Sequence, residues 1–364
     1  ADLVVTSYDL LRRDEDRYAE QPFYACILDE AQAIKNHTTQ KYKAVCQVRS
    51  QVRFALTGTP VENRLGELWS IFSFLMPGYL PPYKNFCARF EKPIVQEEDA
   101  NAVRRLNQLT GPFILRRMKA DVLRELPPKT ENVHRIELDT EQRKLYLAAV
   151  VDAREKLRAA KPEDKMAVFA VLMRLRQICC DPRLVADNWS GGSAKLDACM
   201  ELVTAAVEGG HRILLFSQFT SMLELLAKRM DEAGVSHFTL QGSTPKPVRA
   251  EQVRRFNQGE ADVFLISLRA GGTGLNLTAA DIVIHYDPWW NLAAQNQATD
   301  RAYRIGQRNP VQVYRLIAQD TIEEKIVELQ QAKQSLADTV TGGADGAILS
   351  MNPEQLLQLL GEEA

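Results

Sequence analysis

The stretch QNQATDRAYRIGQ, Gln295–Gln307, sets Gln297, Arg301 and Arg304 at a spacing suited to handling phosphate. Arginine keeps its charge at any physiological pH and forks onto phosphate oxygens. Read as a helix, the stretch puts Arg301 and Arg304 on one face, three residues apart. Such a pair at a cleft between domains suits completing a nucleotide site from its far side, as an arginine finger does. Taken alone, the stretch fits a solvated helix with ordinary surface arginines equally well.

A second signal of the same kind lies far upstream. FYACILD, Phe23–Asp29, is an apolar run ending in a carboxylate and followed by Glu30, Ala31 and Gln32. A run of this length fits a buried parallel strand, and an Asp at its C-terminal tip sits where open α/β sheets bind ligands. One carboxylate can hold Mg²⁺ through its waters, and the adjacent Glu can orient an attacking water. An acidic pair capping the next helix is the plainer alternative. RFALTGTP, Arg53–Pro60, is another short apolar run, ending in small residues that let Thr57 and Thr59 approach a phosphate or a neighbouring domain. A plain strand-to-helix turn would look the same.

The elements that must position these groups follow from periodicity and breakers. Leu3–Val5, Tyr24–Leu28 and Phe54–Thr57 read as strands alternating with helices near Tyr8–Arg17 and Thr39–Arg49, which means βαβ units on a parallel sheet. Leu65–Leu75 reads as a helix, and residues 81–124 as helix with Pro and Gly interruptions. Thr130–Leu138 reads as a strand, Thr140 as the cap of a long helix, and Glu163–Cys180 as a further helix. From Ser193 a second series begins, with strands Arg212–Phe216, His237–Leu240, Val263–Ile266, Ile282–Tyr286 and Val311–Ala318. Its helices are Lys195–Glu208, Ser221–Ala233, Val248–Asn257, Ala293–Arg304 and Ile322–Ala337. Ile348–Leu360 has the spacing of a short amphipathic helix that docks on a lobe. The partition is 1–80, 81–192, 193–340 and 341–364.

Composition is that of a packed globular enzyme: 45% hydrophobic, 25% charged, net charge −2. That balance excludes a protein coated in basic residues but leaves room for a local basic groove. The arginine doublets 12–13, 104–105 and 254–255 read as solvated faces. Six cysteines without metal spacing read as core thiols, the five histidines show no zinc pattern, and no apolar run spans a membrane.

The motifs together carry a family resemblance. LDEAQAIKN (Leu28–Asn36), LTGTPVENRLGELWSIFSFLMPG (Leu56–Gly78), FILRRMKADVLRELPPK (Phe113–Lys129) and LRQIC (Leu175–Cys179) resemble successive motifs of the Swi/Snf-type ATPases. ILLFSQF (Ile213–Phe219), LQGST (Leu240–Thr244), SLRAGGTGLNLTAADIVIHYDPWWN (Ser267–Asn291) and DRAYRIGQ (Asp300–Gln307) continue the set in order. The resemblance implies an α/β fold of two RecA-like lobes with helical insertions, and ATP-driven movement along double-stranded DNA. It implies that Asp29 holds the Mg²⁺ of ATP, Glu30 positions the water, and Gln32 couples the site to the second lobe. Thr57 and Thr59 would link nucleotide state to lobe closure. Arg301 and Arg304 would reach the γ-phosphate with Gln297 beside them, and Gly272 and Gly274 would allow close approach. Ser217, Gln218, Gln241, Gly242, Ser243, Ser267 and Trp290 would track the DNA backbone. Trp289 fits plain packing as well as such a contact.

The family's Gly-Lys-Thr phosphate loop is not among these 364 residues. The expectation is a fragment cut inside the first lobe, unable by itself to hydrolyse ATP, with strand Phe54–Leu56 short of a neighbour. It would then dimerise or bind the missing N-terminal part of the same protein. The Asp-Glu-Ala-Gln box favours a prokaryotic source, hence a nucleoid-associated cytoplasmic protein, or a nuclear one if the source is eukaryotic. Its target, a nucleoprotein complex or RNA polymerase among others, stays open. So do two other readings: a strand-separating helicase and a non-catalytic DNA-binding or scaffolding module.

Overall fold

The computed structural model describes residues 2–57, 65–97, 99–115, 117, 123, 125–161, 164–271, 274–330 and 351–361. These fall into two compact units, one up to residue 117 and one after it.

In the first unit, β1 (Phe23–Leu28) and β2 (Ser50–Ala55) pair in parallel, from Phe23 opposite Ser50 to Leu28 opposite Ala55. Helices Tyr8–Arg13, Gln40–Gln47 and Leu65–Leu75 contribute to the core on one side of this sheet, where Leu11, Leu28, Ile34, Val45 and Phe74 are buried. Ile27, Phe54 and Leu56 project from the other side and stay 62%, 52% and 53% exposed, although parallel sheets are normally covered on both faces. The expected strand Leu3–Val5 is not formed. Among the described residues no strand lies beside it, and an unpaired extended segment leaves its N–H and C=O groups to water. The expected helix Tyr8–Arg17 breaks at Asp14 (φ −110°, ψ 30°) and restarts as Glu15–Glu20. Residues beyond Pro81 are helical with interruptions, as read, including a π-helical turn over Cys87–Glu91. They bury Phe86, Phe90 and Leu106 against Leu68 and Phe72.

The second unit holds a six-stranded sheet, all parallel. Its strands are β3 (Lys129–Ile136), β4 (Ile213–Ser217), β5 (His237–Leu240), β6 (Val263–Ser267), β7 (Ile282–His285) and β8 (Val311–Ala318), in the order β3-β8-β7-β4-β6-β5. β4, β6 and β7 are buried at every residue, as expected of apolar runs covered on both faces. Along β4, Ile213 and Leu215 point into one core and Leu214 and Phe216 into the other, the two-residue period of a strand. β3 comes from the stretch read as insertions and linker, yet it forms one edge of this sheet, with Lys129 opposite Val311.

Helices Thr140–Ala159 and Lys165–Cys180 pack together in a third cluster with the short tail helix Pro353–Leu359, whose Leu356 is fully buried. The long helix is capped by Asp139 rather than Thr140. The Asp139 carboxylate accepts the Gln142 N–H at 2.8 Å, a charge-assisted bond that a hydroxyl one residue later does not make. Among the described residues, no helix is long and apolar enough to cross a membrane.

Candidate functional site

The apolar residues of β1 bring Asp29 to the strand's C-terminal end, where the chain turns sharply. Glu30 takes the left-handed region (φ 50°, ψ 53°), which costs a non-glycine residue about 1–2 kcal/mol. Local bonds hold this turn. The Asp29 carboxylate accepts the Glu30 N–H at 3.0 Å, and the Tyr8 hydroxyl donates to the Asp29 carbonyl at 2.7 Å. The Ala31 N–H reaches the Leu56 carbonyl at 2.9 Å. Gln32 then joins two motifs: its amide NH₂ donates to the Glu30 carboxylate at 2.5 Å, and its oxygen accepts the Thr57 hydroxyl at 2.8 Å. Burial, with the negative charge of Asp29 behind it, pushes the Tyr8 phenol up to about 12, so it stays a donor at neutral pH.

Asp29 and Glu30 remain exposed. Among the described residues no group of three or more His, Cys, Asp or Glu could hold a metal. A lone exposed carboxylate with an acid beside it therefore fits a hydrated Mg²⁺ shared with phosphates better than a closed protein cage. Thr59 lies outside the described residues.

The second unit carries the arginines. Asn291 caps helix Leu292–Thr299, accepting the Ala294 N–H at 2.6 Å. The helix ends there, so the expectation that Arg301 and Arg304 share a helical face does not hold. The chain instead winds through turns to Gly306 (φ 103°). Gln307 fixes that winding: its amide NH₂ donates to the carbonyls of Ala280 at 2.7 Å and Ala302 at 3.2 Å, and its oxygen accepts the N–H groups of Arg308 and Asn309. Arg301 is 7% exposed, and its carbonyl accepts the Leu277 N–H at 3.1 Å. Arg304 donates to the Leu275 carbonyl at 3.4 Å. Both arginines thus lie against the loop that follows Gly274, while Gln297 is half-buried on the helix before them. Gly272 lies outside the described residues.

The residues expected to track DNA divide in two. Gln241, Gly242 and Ser243 form a turn after β5, closed by a 3.0 Å bond from the Gln241 N–H to the Thr244 hydroxyl, with Gly242 and Ser243 exposed. Ser217 and Ser267 sit side by side at the ends of β4 and β6, both buried. The Ser217 hydroxyl donates to Asp287 at 2.6 Å, and the Gln218 N–H joins it at 3.2 Å. Trp290 is 7% exposed, its ring 4.2 Å from the Arg176 guanidinium carbon. Ser217, Ser267 and Trp290 are therefore buried in this structure, as is Arg301. Gln218, half-buried, is the partly exposed member of its motif, with its side-chain amide nitrogen enclosed.

Beneath them lies a charged network to which the sequence reading assigned no role. Arg176 donates to Asp287 at 3.2 Å and to the Pro288 carbonyl, and Lys195 pairs with Glu323 at 2.5 Å. All four side chains are fully buried. Burial holds Asp287 and Glu323 above the usual carboxylate range. An arginine inside the apolar helix LMRLRQICC and an Asp at the tip of an apolar strand were the available signals. The six cysteines are free, and Cys179, Cys180 and Cys199 are buried thiols, as read. Arg254 and Arg255 pair with Glu251 and Glu260 on the surface, also as read.

Comparison with known proteins agrees with this arrangement. Residues 1–184 match the SNF2-related domain, and residues 194–306 match the helicase conserved C-terminal domain. A Mycoplasma pneumoniae protein described as an uncharacterized ATP-dependent helicase is 38% identical over 362 residues, which is 98% of this chain and 34% of that protein. Human TATA-binding protein-associated factor 172 is 37% identical over 420 residues, 98% of this chain and 23% of that one. The chain spans about a third or less of the length of these relatives. The Sulfolobus solfataricus SWI2/SNF2 ATPase core, solved in complex with dsDNA, is 34% identical and superposes with a TM-score of 0.55, covering 98% of this chain and 76% of that one. Its own sequence motifs, the parallel sheets that carry them and the matched SNF2-related domain agree: this chain belongs to the SNF2 family.

Proposed function

We propose that the chain is the motor portion of an ATP-dependent double-stranded DNA translocase, coupling ATP hydrolysis to closure of two lobes and movement along the DNA backbone. The observation that carries this reading is Gln32, bonded at once to Glu30 and Thr57, which makes the acid box and the turn after β2 one mechanical unit. Bound MgATP supplies the phosphoryl group and the electrophilic phosphorus. Asp29 holds the ion, and Glu30 orients and polarises the attacking water. Gln32, Thr57 and Thr59 pass the state of the site onward. Arg301 and Arg304 neutralise phosphate charge, with Gln297, Gly272 and Gly274 shaping their approach. Gln218 and the Gln241–Ser243 turn meet the DNA backbone. Binding is then sequence-blind and weakens steeply with salt.

These 364 residues hold no Gly-Lys-Thr phosphate loop, so they are expected to bind duplex DNA without sustained ATP turnover. In a longer polypeptide that has the loop, Arg301→Ala should lower DNA-stimulated ATPase by about 10³-fold or more while sparing DNA affinity. Equal loss of both would refute the role given to Arg301. A strand-displacement assay on the same polypeptide separates translocation, in which the strands stay paired, from helicase action.

A further inference from the structure

Residues 287–290 form a strap across the ends of β4 and β7, and every residue of it is held by a side chain. Asp287 takes Arg176, the Ser217 hydroxyl and the Gln218 N–H. The Pro288 carbonyl takes Arg176 again. The Trp289 N–H donates to Gln295 at 3.3 Å, and its carbonyl accepts from Gln330. Trp290 lies on the Arg176 guanidinium, and the Phe219 ring is 5.6 Å from it.

Arg176 contacts three of the four strap residues, Asp287, Pro288 and Trp290. It is fully buried, and among the described residues its Nε and Nη1 find no hydrogen-bond acceptor. Unpaired buried donors are costly, so a side chain kept there is kept for the groups it does hold. Both hydrogen bonds come from one nitrogen, Nη2, so what lysine loses is the planar guanidinium that lies on the Trp290 ring and fixes the direction of that nitrogen.

We propose that Arg176 is a positioning residue for the duplex-DNA grip of the second unit. It holds Asp287, which places the Ser217–Phe219 turn and so aims Gln218, and it holds the strap through Pro288 and Trp290, without touching DNA itself. Ser217 and Trp290 belong to the same support. This inference rests on the DNA-binding reading above and names the residue that shapes the site.

The test is binding of the 364-residue chain to a 30-base-pair duplex by fluorescence anisotropy, repeated from low to high salt. Arg176→Lys should weaken binding about tenfold, within the range over which residues of one hydrogen-bonded network couple. The slope of log affinity against log salt should stay at its wild-type value, because no phosphate contact is lost. Loss of a direct contact instead flattens that slope by about 0.9. Circular dichroism establishes folding of each variant. Ser217→Ala, which leaves Arg176 and the Gln218 N–H on Asp287, should weaken binding about threefold at unchanged slope, and it decides the matter if Arg176→Lys does not fold. Wild-type affinity in a folded Arg176→Lys, or in Ser217→Ala when that variant decides, overturns the inference alone. So does a flattened slope in Arg176→Lys. Failure of the wild-type chain to bind duplex DNA at low salt overturns the DNA-binding reading and this inference with it.

Discussion

Lowering the pH from 7 to 5 should destabilise the second unit through a single imidazole. His285, on β7, is 2% exposed, lies 5.6 Å from the Phe216 ring in a stacked arrangement, and has its Nε2 2.8 Å from the Thr299 hydroxyl. Burial first, and then the positive charges of Arg315 and Lys129, push its pKa from 6.5 to about 3. In the unfolded chain the ring takes a proton near pH 6.5, whereas in the folded protein it resists until about pH 3. Between those values the unfolded state binds more protons, so stability falls as pH falls, and the effect vanishes above about pH 7. At pH 5 the unfolded ring is ahead by about 1.5 pH units, or about 2 kcal/mol. Asp287 and Glu323, whose pKa values are raised by burial, act in the opposite direction. The measurement is therefore a difference: urea unfolding by tryptophan fluorescence at both pH values, for the wild type and for His285→Phe. The wild type should lose about 2 kcal/mol more than the variant between pH 7 and pH 5. Equal losses would refute the argument that this ring stays neutral because it is buried.

Three further outcomes are expected. Lys195→Met strands the Glu323 carboxylate in the interior and should cost about 3–5 kcal/mol in denaturant unfolding, with most of it regained in Lys195→Met/Glu323→Leu; a single-variant cost under about 1 kcal/mol would contradict the burial of the pair. Gly306→Ala must hold a side chain at φ 103°, which should cost about 1–3 kcal/mol; an unchanged thermal midpoint would mean that the turn is not as described. Leu356→Ala, at the buried centre of the tail helix, should cost about 2–5 kcal/mol and expose the tail to limited proteolysis. Protease resistance equal to wild type would mean that the helix does not dock.

The sequence was most legible where burial is complete. β4, β6 and β7 are apolar from end to end and appear within a residue of their expected bounds, because a strand covered on both faces admits few polar residues. The acid box also fell where expected, at the tip of β1. What stayed hidden was decided by partners distant in the chain. Nothing in QNQATDRAYR marks the end of its helix at Thr299. The turn that follows is fixed by Gln307 reaching Ala280, 27 residues away. Ser217 and Trp290 looked like contact residues because their motif is polar and aromatic, yet their hydroxyl and ring face Asp287 and Arg176, which arrive from other elements. Leu3–Val5 has strand composition but, among the described residues, no strand to pair with.

The pairing of β3 with β8 has a consequence for how the chain is made. Lys129 must wait for Val311, about 180 residues later, before its edge of the sheet exists. At ~5–20 residues per second on the ribosome, that is roughly ten to forty seconds. Throughout that interval β3 is an unpaired strand on a nascent chain whose other sheet strands are still emerging. Holdase chaperones that cover β3 during that interval would therefore raise the yield of folded chain.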